Sequence, residues 1–128
     1  MPKVFIEEIH IVGMYHYGAR QLELNHPHRL VRDRQNVHDV HAIRVVKNGD
    51  ISQRTVAYVA RYHAGPLSQL FDLSFVVNGV VYLKAKSPVH RVGRKPTQSC
   101  TIAMRVREEH IDQVQAIIAM TGCPFSTK

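Results

Sequence analysis

The stretch Ala42-Ile43-Arg44-Val45-Val46-Lys47-Asn48-Gly49-Asp50-Ile51-Ser52-Gln53-Arg54-Thr55-Val56-Ala57-Tyr58-Val59 decides the reading of the fold. Its two ends are rich in β-branched residues, so Ala42 to Lys47 and Thr55 to Val59 read as strands. Asn48-Gly49-Asp50 between them is a turn, because asparagine and glycine accept backbone conformations that other residues resist. Upstream, Lys3 to Val12 is a loosely alternating run of Val, Ile and Phe that reads as a strand ended by Gly13. Met14 to Gly18 is an aromatic turn, and His28 to Val31 is a short strand beyond the breakers Asn25 and Pro27. A charged loop spans Asp33 to Asp39.

Downstream, Gly65-Pro66 is expected to open a short helix, since proline lacks an N–H that a first turn would leave unpaired. Leu67, Leu70 and Phe71 give that helix its apolar face. Phe75 to Ala85 reads as a hairpin bent at Asn78-Gly79 or as one long bulged strand. Ser87 to Gln98 reads as a basic loop and Cys100 to Val106 as the last strand. A second helix is expected from about Glu108 to Met120, with acids at its positive end, Ile111, Val114 and Ile117 on one face, and Gly122 and Pro124 to stop it. About six strands and two helices without a βαβ rhythm predict a mainly β fold: a small OB-like six-stranded β-barrel with two α-helices.

At 128 residues the chain fits one domain, spanning 1-128, and its 45% apolar content argues against disorder. No apolar run approaches the ~20 residues of a membrane span, and the N-terminus lacks the layout of a signal peptide. Cys100 and Cys123 are expected to be reduced thiols. The expected setting is therefore cytoplasmic (nucleoid-associated in a bacterial or phage-infected cell) or nuclear in a eukaryote, with no membrane partner. Lys and Arg number 17 against 10 acids, a formal charge of +7, with a pI near 9.8. That balance favours a polyanionic partner. An anionic membrane surface would call for a basic amphipathic helix or a lipidation signal, and the sequence has neither.

Two stretches carry a family resemblance. Leu30-Val31-Arg32-Asp33-Arg34-Gln35-Asn36-Val37-His38-Asp39-Val40-His41-Ala42-Ile43-Arg44-Val45 resembles the HIRAN pattern L-x-R-[DE]-P-x-N-x-x-D-x-N-A-I-x-V. Val56-Ala57-Tyr58-Val59-Ala60-Arg61 is similar to the family's V-G-Y-I-P-[RK] strand end, and a loose A-x-x-L-x-x-L helix follows. Val12-Gly13-Met14-Tyr15-His16-Tyr17 resembles the family's strand and aromatic turn. The matches keep the family's order from about residue 5 to 73, with the C-terminal strand and helix reaching about 122. Arg34 and Val37 stand where prolines are common, His41 where asparagine is usual, and His16 where tyrosine is usual.

The resemblance implies an OB-type barrel and a non-enzymatic module that binds single-stranded DNA and recognises its 3′-hydroxyl end, in DNA repair, replication or phage or bacterial DNA metabolism. In the family's best-understood member, the domain of a remodelling helicase grips that end to promote fork reversal. A helicase or nuclease partner protein is implied as well. Asp39 is the first candidate, as acceptor of the terminal hydroxyl, because an ionised carboxylate accepts, cannot donate, and repels phosphate. The alternative is that Asp39 caps its loop. Asn36 either orients that loop or contacts a phosphate. Tyr15, His16 and Tyr17 form a candidate stacking platform, with one of the two tyrosines expected to pack into the barrel. Arg61, Tyr62 and His63, ahead of the helix at Pro66, with the Tyr58 hydroxyl, form a candidate phosphate site. Arg32 is a phosphate contact or a partner of Asp33. Lys84, Lys86, His90, Arg91, Arg94 and Lys95 form an acid-free basic run, either phosphate contacts or solvated surface.

No cofactor is expected. His26 and His28, or His38 and His41 with Asp39, include ligand types but no recognised metal spacing. No serine or cysteine lies in a nucleophile-elbow context, and no glycine-rich phosphate loop is present. The rival readings are a metal-dependent nuclease built on the His/Asp cluster and a protein-interaction subunit using the barrel as scaffold.

Overall fold

A computed structural model describes residues 2–17, 21–73, 75–77 and 81–128. Eight strands form: β1 (Lys3–Val12), β2 (Pro27–Arg32), β3 (Ile43–Lys47), β4 (Thr55–Val59), β5 (Tyr82–Ala85), β6 (His90–Val92), β7 (Lys95–Arg105) and β8 (Phe125–Thr127). Helix α1 (Arg61–Asp72) follows β4. A 3-10 turn (Glu108–His110) leads into α2 (Ile111–Ala119). The antiparallel order β1–β7–β5–β2–β3–β4 returns to β1, which closes a six-stranded barrel as the strand pattern predicts. β6 extends β7, and β8 lies along β1.

The barrel holds an apolar core. Val4, Ile6, Ile9 and Ile11 of β1 meet Ile102 and Met104 of β7, Leu83 of β5 and Val45 of β3, with Leu67 and Leu70 of α1 and Val114 and Ile118 of α2 sealing it. β1 keeps its apolar residues inside only because of a bulge. Its register against β7 shifts between Ile6 and Ile9, with Glu8 in the left-handed region at φ 60°. Glu7 and Glu8 both face outward, and Ile9 and Ile11 return to the interior. A strictly alternating strand would have turned them to solvent.

Polar side chains also sit inside, among them Ser68, Thr97 and the larger Gln98. Gln98 is fully buried. Its Oε1 accepts from the Leu22 N–H at 2.6 Å, and its Nε2 donates to the carbonyls of Leu22 at 3.1 Å and Ser87 at 3.0 Å. This pins Leu22 to the barrel two residues before the isolated bridge of Leu24 to Ala85.

Four expectations are corrected. Helix α1 begins at Arg61, not at Gly65-Pro66, so Pro66 lies within the helix. Over the residues described, Phe75 to Ala85 is not continuous strand: Val76 makes an isolated bridge to Val106, and β5 starts at Tyr82. The Asn78-Gly79 bend lies outside the described residues. Ser87 to Gln98 is largely a hairpin, with His90, Arg91 and Val92 opposite Thr97, Pro96 and Lys95, and Gly93 at φ 63° makes its turn. A short β8 also follows Pro124, where no element was expected. Among the described residues no helix is long and apolar enough to cross a membrane.

Gln98→Ala should strip three backbone groups, two buried and one partly buried, of their side-chain partner at once. Each costs about 1–3 kcal/mol when left unsatisfied, so urea unfolding should show a loss of at least about 2 kcal/mol.

Candidate functional site

The loop between β2 and β3 is built from side chains that replace a ladder. The Asp33 N–H donates to the Ala42 carbonyl at 2.9 Å, closing the loop at its base. Asn36 Oδ1 accepts from the N–H groups of His38 and Asp39 at 2.9 and 3.1 Å. Asp39 Oδ1 accepts from the His41 N–H at 2.9 Å. Such Asx turns let the backbone fold without strand or helix partners. Asn36 thus orients the loop.

Arg32 supports the loop from below. Its guanidinium donates to the carbonyls of Ala42 at 2.9 Å and Val40 at 3.1 Å. It also forms a two-pronged pair with Asp72 in the last turn of α1, at 3.1 and 3.2 Å. Its partner is therefore Asp72 and not Asp33, whose carboxylate accepts the Tyr58 hydroxyl instead, at 2.7 Å. The Arg32 hydrogen bond holds the Asp72 carboxyl below its ordinary value. Arg34 reaches the same carboxylate at 2.9 Å, and His41 meets Ser68 of α1 at 3.3 Å.

The aromatic turn lies beside this loop because β1 and β4 end together, Val12 opposite Tyr58. Met14 is the residue of the turn that enters the core, whereas Tyr15 and Tyr17 are 55% and 40% exposed; the expectation that a tyrosine would pack inside is corrected. The thioether, unbranched and apolar, fills the barrel end without a hydroxyl to satisfy. The Tyr17 ring lies 5.7 Å from that of Tyr58 and 4.9 Å, edge-on, from that of His16. Burial first, then the bond to Asp33, pushes the Tyr58 phenol up, so its proton stays on that carboxylate contact.

Helix α1 begins at the other side of the loop. The Arg61 guanidinium donates to the His38 carbonyl and holds its Nε 3.6 Å from Asp39 Oδ2. Tyr62 meets His10 Nδ1 through its hydroxyl at 2.6 Å. His63 points inward, its Nδ1 accepting from the His10 N–H at 3.1 Å and its Nε2 lying 3.4 Å from Cys123 Sγ. His10 belongs to this neighbourhood although nothing in the sequence singled it out beyond its outward place between Ile9 and Ile11. Cys100 and Cys123 are both free and buried.

The basic residues divide into two groups. Lys95 lines a cleft with Tyr15 and His16, and the His90 ring lies 6.0 Å from that of His10, so the β6–β7 hairpin borders the aromatic turn. Arg91 donates to the Arg94 carbonyl within the hairpin turn at 3.1 Å. Lys84 and Lys86 line a different cleft, with Lys3 and Phe5, on the outer wall of the barrel. Among the described residues no three His, Cys, Asp or Glu side chains are placed to hold a metal ion.

One end of the barrel thus gathers exposed aromatic rings, a carboxylate held by its own loop, and arginine and lysine side chains around them. The molecule belongs to the class of small closed β-barrel modules, with a polar and aromatic face at one end. A sequence profile of the HIRAN domain matches residues 6–109, and the chain belongs to the HIRAN domain family. Its fold is similar to the crystal structure of the HIRAN domain of human HLTF, with a TM-score of 0.68 and 20% identity over 92% of this chain and 93% of that one. It is also similar to the NMR structure of the HLTF HIRAN domain in its DNA-bound conformation, with a TM-score of 0.66 and 20% identity over 92% and 88%. A protein from Lactobacillus plantarum matches with a TM-score of 0.54 and 17% identity, over 82% of this chain and 100% of that one. At such identities the likeness is one of fold. No curated protein sequence matches the chain.

His63 also ties the site to pH. Burial first, then the neighbouring His10, lowers its pKa from an ordinary 6.5 to about 4. Below pH 6.5 the unfolded chain takes up a proton that the folded chain refuses until about pH 4. Stability should therefore fall as pH drops through that window. His63→Gln, which keeps an acceptor for the His10 N–H, should make the decline in urea midpoint between pH 7 and 4 shallower than in the wild type.

Proposed function

We propose that this protein is a non-enzymatic module that binds single-stranded DNA and holds its 3′-hydroxyl end between the aromatic turn, the β2–β3 loop and the start of α1. The observation that carries the reading is the pairing of Asp39 and Arg61. Asp39 Oδ1 is engaged by its own loop, while Oδ2 lies 3.6 Å from an arginine whose side chain is 71% exposed. Asp39 is more covered, at 18% exposed, but solvent around the arginine screens the pair and its separation is long, so a ligand can part it at modest cost. The two charges suit the two chemistries of a strand terminus. The carboxylate accepts a hydrogen bond from the terminal hydroxyl, and the guanidinium attracts the last bridging phosphate.

Tyr17 and Tyr15 offer ring faces for the terminal bases, which every base can use. Lys95, Arg91 and Arg94 on the neighbouring hairpin add sequence-independent attraction to the backbone. Tyr62 borders the same surface, whereas Tyr58, Asn36 and Arg32 act through the loop that they hold. The DNA-bound form of the HLTF HIRAN domain supports the reading by likeness of fold. The partner is single-stranded DNA or a DNA 3′ end, delivered to a helicase or nuclease that works on it in repair, replication or phage or bacterial DNA metabolism.

Two otherwise identical oligonucleotides ending in a 3′-hydroxyl or a 3′-phosphate test the central residue. A hydrogen bond to a charged group contributes roughly 1.5–3 kcal/mol, so the wild type should prefer the hydroxyl end about tenfold or more. Asp39→Asn should keep general strand binding and lose that preference. Equal binding of both ends by the wild type would overturn the reading.

Stacking is tested separately by titration. Tyr17→Ala should weaken binding by roughly 1–3 kcal/mol for all sequences while leaving the melting temperature nearly unchanged, since the ring is exposed. A fall in melting temperature with unaltered affinity would return Tyr17 to a packing role.

A further inference from the structure

We propose a second strand-binding surface on the outer wall of the barrel, across β1, β7 and β5, where a base of single-stranded nucleic acid lodges between Phe5 and Tyr82. This surface shares no residue with the end-binding site and does not depend on that reading.

The register builds it. Phe5 of β1 lies opposite Ala103 of β7, and Ala103 lies opposite Tyr82 of β5. Residues abreast in neighbouring strands share a face, so the row runs aromatic, alanine, aromatic. Strands are spaced about 4.8 Å apart, which puts the two aromatic residues about 9.6 Å apart across an alanine floor. Ala103 adds only a methyl group, and the opening between the rings admits a planar heterocycle. Leu83 and Ile102, the alternate residues, face the core, so the aromatic row itself lies outside the packed interior, and the mobile ends of Lys3 and Lys128 over Phe5 can swing from the ring to a phosphate.

The surroundings are cationic. Lys84 and Lys86 follow Tyr82 at the period of two that keeps side chains on one face. Lys3 pairs in register with Arg105 next to the aromatic row. The Lys3 and Lys128 ammonium groups each lie 5.2 Å from the Phe5 ring centroid. Lys86 reaches Asn25 Oδ1 at 2.7 Å, a surface contact that water or phosphate can replace. The cleft has a volume of about 630 Å³, and no acidic residue is among those that line it.

Charge alone would serve any polyanion. The ring-wide slot selects among them. An acidic peptide uses the lysines but has no flat ring to place between two aromatics. An anionic membrane needs apolar groups that protrude, and Phe5 is half-buried while Tyr82 is 36% exposed. A single-stranded nucleic acid supplies both features, an aromatic base for the slot and flanking phosphates for the lysines.

A covalently closed circle of single-stranded DNA has no end for Asp39 to read, so its binding lacks the end-reading contribution, and the Tyr82 and Lys84 variants report what this surface adds to it. Fluorescence titration at fixed salt should show the intact protein binding the circle. Tyr82→Ala should weaken that binding about tenfold, the loss of one stacked base, and Lys84→Glu should weaken it further. Tyr82→Phe, which keeps a ring, should bind like the wild type. Tyr82→Leu, which keeps apolar cover on β5, should bind like Tyr82→Ala and guards against a folding defect. In all four variants the ratio of affinities for 3′-hydroxyl and 3′-phosphate oligonucleotides should match the wild type. The proposal is overturned if the wild type does not bind the circle, or if Tyr82→Ala and Tyr82→Leu bind it as tightly as the wild type. It is also overturned if Lys84→Glu abolishes binding to phosphatidylserine vesicles but not to the circle.

Discussion

Closure of the barrel through β1 and β7 is the constraint on which the rest of the molecule depends. β7 is 11 residues long and pairs with β5, β6 and β1. A sheet left open at that seam would expose the inner faces of both strands together with two unpaired edges. The bulge at Glu8 makes the seam workable, since it lets the two halves of β1 bury their isoleucines despite a break in alternation. Closure also sets the site. It brings the end of β1 against the end of β4, so the aromatic turn and the start of α1 emerge side by side.

Around that end, polar side chains do structural work that regular ladders do elsewhere. Arg32, Asn36, Asp33 and Gln98 each satisfy backbone groups or a neighbouring side chain in segments that are neither strand nor helix. This separates the residues that shape the surface from those it presents. Asp39 belongs to both groups, with one carboxylate oxygen committed to the loop and the other turned to Arg61.

Much of the fold is legible in the sequence where the local signal and the tertiary outcome agree. β1 and β4 coincide with their β-branched runs, and β2, β3 and α2 differ at their ends by a few residues. Disagreement comes where the local signal is weak or points to the wrong place. The start of α1 has no capping side chain, since Ala60 occupies the cap, and Pro66 draws attention downstream. The β6–β7 hairpin is hidden by its charge, because short exposed strands carry no apolar alternation. The site is legible in part: the positions of Tyr17, Asp39 and Arg61 follow from spacing and resemblance. Asp72 as the partner of Arg32 does not, because 40 residues separate them and only the return of α1 brings them together. Lys84 and Lys86 look continuous with the hairpin cations along the chain, yet strand register assigns them to another face.

Helix α1 touches the β2–β3 loop at both of its ends, through Arg61 at the first turn and Asp72 at the last. A helix of 12 residues is a rod about 18 Å long, so it acts as a brace that fixes two points of a loop that would otherwise swing on its hinges. The cost of ordering that loop is therefore met when the chain folds and not again when a ligand arrives. A brace of this kind favours rapid binding and release of whatever ligand the loop meets, since neither step has to wait for the loop to close.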